Sequence, residues 1–149
     1  MAWKNLKQLS LADSLTSEHK ALTELDDVNE MIDWQAIEHL LGDIHAKRRG
    51  NTAWPPLFMF KALLLQSWYN LSDPRLENLL VRDLLFRRFV SLSLADSVPD
   101  HSSIWRFRQL LEKQGLMDSL LAEINRQLSV QGVYIRAGEI SIVDASVIQ

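Results

Sequence analysis

The segment from Pro55 to Tyr69 constrains the fold more than any other. Two prolines are followed by Leu57-Phe58-Met59-Phe60-Lys61-Ala62-Leu63-Leu64-Leu65-Gln66-Ser67-Trp68-Tyr69. Proline is tolerated where the first amides of a helix lack partners anyway, so the pair opens a helix over 57–69. A helix that is apolar nearly all the way round has no wet face and must be enclosed by others. It is expected to be the central, most buried helix of a mainly α domain. The run is about 13 residues, interrupted by Lys61 and Gln66, against the roughly 20 needed to span a bilayer.

Enclosing that helix takes chain, and 149 residues suffice for one domain, or a domain and the start of another. With 47% hydrophobic and 23% charged residues, wholesale disorder and fibrous repeats are excluded. Cysteine is absent, which removes disulfide scaffolds, thiol catalysis and thiolate zinc sites. The N-terminus MAWKNLKQLSLADS has no apolar core of the kind a secretory signal needs. A soluble, cytoplasmic protein without a membrane partner is expected.

The net charge of −3 conceals an asymmetry. Residues 1–46 carry three lysines against nine carboxylates, a net of −6, whereas 47–113 carry eleven Lys and Arg against six, a net of +5. Such a division suggests a basic face for a polyanion and an acidic arm kept away from it. Charges that merely coat helices account for the numbers equally well.

The rest of the chain reads as successive helices. Residues 1–22 have weak periodicity and form a loosely ordered arm. Leu25, Val28, Ile32, Ile37, Leu40 and Leu41 recur near helical spacing until Gly42. Ser72 is the expected cap of a helix over 72–83 that puts Leu76, Leu79, Leu80 and Leu84 on one side and continues into Phe86-Arg87-Arg88-Phe89. After a connector from Leu92 to Pro99, Asp100 or Ser102 caps a helix reaching Gln114. Ile104, Phe107, Leu110 and Leu111 face its core, and Gly115 stops it. A last helix, 116–131, buries Leu120, Leu121, Ile124 and Leu128 before Gly132.

Beyond Gly132 the period changes. Val133-Tyr134-Ile135, a turn at Arg136-Ala137-Gly138, and Glu139 to Asp144 read as a β-hairpin. Two strands alone are marginal in water. The expected organisation is therefore an arm over 1–22, a helical domain over 23–131, and the beginning of another domain over 132–149.

The helix over 100–114 carries the most chemistry. Its core residues leave Ser102, Ser103, Trp105, Arg106, Arg108 and Gln109 on other faces. Small hydroxyls in the first turn and arginines one turn later suit a recognition helix in a DNA major groove. Arginine reads guanine bidentately, and amides at a helix start hold phosphate. The helix over 72–83 would brace it in a helix-turn-helix-like way, although the connector is longer than such turns usually are. A solvated basic face fits the same residues. Arg87 and Arg88 are candidates for gripping phosphate while Phe86 and Phe89 anchor in the core; exposed arginines on an ordinary helix are the plainer alternative. Lys47-Arg48-Arg49 is the densest basic run. His101 is a capping-turn residue or a DNA contact. His39 and His45 lie six apart, so they do not share a helix face as metal ligands. Asp144 lies in phase with Ile140 and Ile142 and ends its strand in solvent or at a metal.

These residues resemble a known family. Trp54-Pro55-Pro56-Leu57-Phe58-Met59-Phe60-Lys61-Ala62-Leu63-Leu64-Leu65-Gln66, then Trp68-Tyr69-Asn70-Leu71-Ser72-Asp73, is similar to the N-terminal region of insertion-sequence-five type bacterial transposases. Leu85 to Phe89 and Val98 to Arg108 resemble the next two blocks of that family in order and spacing. Ile142-Val143-Asp144-Ala145-Ser146-Val147-Ile148 resembles the strand bearing the first carboxylate of its DDE triad. The resemblance runs from about Asp33 to Gln149. It implies a helical region that binds the terminal inverted repeats of a transposon in double-stranded DNA. It further implies an RNase H-like domain where three carboxylates hold two magnesium ions for strand cleavage and transfer. Asp144 then becomes a catalytic metal ligand. Its two companions have no counterpart before residue 149, so a truncated transposase that binds no Mg2+ and is inactive alone is expected. The alternative is a protein-interaction module, forming a homodimer or inhibiting the full-length transposase.

Overall fold

The computed structural model describes residues 19–42, 54–135 and 138. Among them are eight helices: α1 (Lys20–Thr23), α2 (Asp26–Met31), α3 (Trp34–Leu41), α4 (Pro56–Tyr69), α5 (Asp73–Arg82), α6 (Leu84–Val90), α7 (His101–Lys113) and α8 (Leu116–Val130). The described residues contain no strand. Of the hairpin expected after Gly132, Val133 to Ile135 are described as irregular chain, and its second arm lies outside the described residues.

Helix α4 is the hub. Nine of its fourteen residues are buried, from Met59 to Leu65 and again at Trp68 and Tyr69. It packs on α3, α5, α6 and α7, while α8 closes the bundle against α2, α3 and α7. The core joins these helices through Phe60, Leu64, Leu65, Leu76, Leu80, Phe86, Phe89, Ile104, Leu111 and Leu120. Phe89 sits edge-on between Trp34 and Trp68, with ring centres 6.0 and 5.6 Å away. Such edge-to-face pairs add about 0.5–1.5 kcal/mol each beyond burial.

Local chemistry sets the boundaries. Ser72 and Asp100 cap α5 and α7, their side chains accepting from Arg75 N and Ser103 N. Gly115 turns from α7 into α8 at φ 70°, a left-handed conformation that a side chain would strain. The stretch 23–42, read as one periodic unit, holds two helices, α2 and α3, after the last residue of α1. Ile32 is extended, and Asp33 restarts the chain by accepting from Gln35 N and Ala36 N. Lys20 begins α1 behind a cap from His19, and residues 1–18 of the expected arm lie outside the described residues.

A second break corrects the continuous helix expected through Phe86. Asp83 is extended, and its carboxylate accepts from Phe86 N, so α6 starts afresh in a new direction. Leu84, expected beside Leu76 and Leu80, is exposed for that reason. Helix α6 is a short wedge with Leu85, Phe86, Arg87, Phe89 and Val90 all buried.

The acidic arm is not held apart from the basic stretch. Asp26 of α2 accepts both forks of Arg88, at 2.9 and 2.8 Å, across 62 positions of sequence. The guanidinium holds the Asp26 carboxyl below its ordinary range.

Candidate nucleic-acid interface

Helix α7 presents three stripes. Ile104 and Leu111 point into the core, seven residues apart. Positions 101, 105 and 108 form a flank toward α5. There His101 Nδ1 lies 2.9 Å from Glu77 Oε1, and Arg108 pairs with Asp73. The partners run backwards along α5 as they run forwards along α7, so the two helices are antiparallel. Positions 102, 106, 109 and 113 form the outer stripe, and Ser102, Arg106, Gln109 and Lys113 are exposed. Trp105 stands between the two ties to α5 and is 50% exposed, a large apolar ring left at the surface.

The start of α7 is not an open cradle for phosphate. The His101 amide donates to Glu77 Oε1 at 2.6 Å, and the Ser103 amide donates to Asp100 Oδ1 at 2.7 Å. Two carboxylates thus occupy first-turn amides that an anion would need. The Ser103 amide in turn keeps the Asp100 carboxyl below its usual range. Arg106 points along the outer stripe and donates to Ser103 Oγ at 3.3 Å; no carboxylate pairs with it among the described residues. What α7 leaves exposed is its outer stripe, Ser102, Arg106 and Gln109, beside Trp105.

Arg108 is engaged differently. Its Nη1 donates to Asp73 Oδ1 at 2.5 Å and Gln66 Oε1 at 3.0 Å, and its Nη2 donates to Asp73 Oδ2 at 2.8 Å. Gln66 Nε2 completes the ring on Asp73 Oδ1 at 2.6 Å. Arg108 hydrogen bonds lower the Asp73 pKa, and the same contact raises that of Arg108. A bidentate arginine–guanine contact discriminates by about 1–3 kcal/mol. Leaving a half-buried carboxylate unpaired costs about as much or more. Exchanging Asp73 for a base edge would bring no clear gain.

The two arginines of α6 also differ from each other. Arg87 is only 6% exposed, and its guanidinium donates to Val81 O at 3.0 Å and Ser93 O at 2.6 Å. It ties the end of α5 to the loop before α7. Arg88 is exposed and faces Asp26. Phe86 and Phe89 are in the core, as the alternation of aromatics and cations suggested. The expected brace is present in that α5 packs on α7, but α6 and the 91–100 connector lie between them. The connection is not a tight helix-turn-helix turn.

Lys47, Arg48, Arg49 and Asp144 lie outside the described residues. Among the described residues no cluster of three or more metal-ligating side chains occurs. No described helix is long and apolar enough to cross a membrane. Sequence reading missed Arg75 and Arg82, exposed cations seven apart on the flank of α5 away from α7; their spacing was the available signal. An open groove of about 450 Å³ lies elsewhere, between Asn125, Arg126 and Ser129 of α8 and residues 133–135.

No solved structure matches the chain. A family model described as "Transposase domain (DUF772)" matches residues 9–110, about two thirds of the sequence, from the arm to the third turn of α7. The chain belongs to this transposase domain family.

Proposed function

We propose that the chain is the DNA-binding part of an insertion-sequence transposase of the insertion-sequence-five type, and that it recognises the terminal inverted repeats on which transposition acts. The observation that carries this reading is the outer stripe of α7. Ser102, Arg106 and Gln109 are exposed there beside Trp105, on a helix braced by α4, α5 and α8. Arg106 reads a base edge, Trp105 supplies an apolar contact, and Ser102 and Gln109 add hydrogen bonds. Arg75, Arg82 and the run Lys47-Arg48-Arg49 contribute phosphate attraction, which positions the chain without reading sequence. The work belongs in the cytoplasm, where the DNA is.

Asp144 remains the proposed metal ligand that the resemblance assigns. Two magnesium ions would supply activation of the attacking and leaving oxygens. Holding both ions would take further carboxylates beside Asp144. A homodimer, or pairing with a full-length transposase, fits the same role, since transposon ends come in pairs.

The test is selection from a randomised duplex pool followed by titration of the selected and scrambled duplexes at two salt concentrations. A selected consensus, bound more tightly than its scramble and weakened by salt, is expected. Arg106→Ala should cost about 1–3 kcal/mol on the selected duplex and relax the consensus at one position. Equal weak binding to every duplex would contradict the proposal.

A further inference from the structure

We infer that Arg108 is a positioning residue that locks α7 to α5 and α4, so that the outer stripe meets a duplex in one register. This rests on the DNA-binding reading of α7. Gln66, Asp73 and Arg108 come from three helices and close a ring of four hydrogen bonds of 2.5–3.0 Å. The ring is partly buried, with the two ionic side chains 24% and 18% exposed. Seven residues away the His101–Glu77 contact ties the start of the same helix to the same neighbour. Two ties about 10 Å apart on one stripe fix both the rotation and the tilt of α7. Trp105 lies between them, so its direction is set by the pair. The planar fork of arginine matches a carboxylate with two parallel bonds, which a lysine ammonium cannot reproduce.

A reader and a positioner respond oppositely when the partner is removed. If Arg108 reads DNA, Asp73→Ala releases it and discrimination between selected and scrambled duplexes is kept or improved. If Arg108 positions α7, Asp73→Ala and Arg108→Lys both lower that discrimination, by about tenfold or more. Arg108→Lys keeps its charge, so the salt slope, which counts phosphate contacts, stays at the wild-type value.

The experiment measures discrimination, salt slope and amide hydrogen exchange for the full chain and both variants. Parallel loss of discrimination with an unchanged slope and faster exchange in α7 than in α8 is the expected result. Wild-type discrimination in Asp73→Ala overturns the proposal. Absence of discrimination in the wild-type chain overturns the DNA reading. With it, faster α7 exchange in Arg108→Lys keeps the clamp, and unchanged exchange overturns that too.

Discussion

Two buried cations show how the same charge serves different ends in this chain. Lys61 is 7% exposed, with its ammonium 4.3 Å from the centre of the Trp34 ring, 3.3 Å from Asn29 Oδ1 and 3.4 Å from Phe89 O. Burial pushes its pKa down, with Glu38 pulling the other way. The cation–π contact offsets only part of the desolvation. Lys61→Met is therefore expected to unfold within about 1 kcal/mol of wild type, or later, in urea. The sign with pH follows from the lowered pKa. Between the folded value and the ordinary 10.5 the unfolded chain binds more protons, so wild type gains stability relative to Lys61→Met as pH rises through that window. Arg87 is the contrast, because its guanidinium holds the carbonyls of Val81 and Ser93, the second of which also accepts from Asp96 N. Arg87→Met is expected to lose about 1–3 kcal/mol by the same measurement.

At the scale of helices, carboxylates decide where elements begin and how they dock. Asp83→Ala removes the acceptor of Phe86 N and should cost about 1 kcal/mol, read in a thermal melt. Asp26 and Asp73 have pKa values lowered chiefly by Arg88 and Arg108. Their stabilisation is present above the unfolded carboxyl pKa of 3.8 and is lost as pH falls through the folded values. Asp73→Asn should accordingly lose less stability than wild type on acidification below pH 4, by urea titration across that range. Helices α4, α5, α7 and α8 were legible because apolar period and caps such as Ser72 and Asp100 are local signals. The breaks at Asp33 and Asp83 were not, since an acidic residue inside a helical pattern reads as a wet position. The partners of Arg88 and Arg108 were equally invisible, lying 62 and 35 positions away where no sequence spacing reports contact. The candidate stripe on α7 was therefore legible as a set of residues, but not the division between those that face out and those that hold the helix.

For the whole molecule, an apolar central helix leaves its neighbours to carry the polar work. Helix α7 is held from α4, α5 and α8, and its outer stripe is what remains for a partner. Under the proposed DNA-binding reading the contact falls on the exposed Ser102, Trp105, Arg106 and Gln109, with Arg108 held by Asp73. The most direct measurement is an NMR map of amide shifts in the chain as a selected duplex is added. The largest changes are expected along the outer stripe of α7 from Ser102 to Gln109, with α8 amides little moved. Changes centred on α8, or none in α7 while the duplex is bound, would contradict the account.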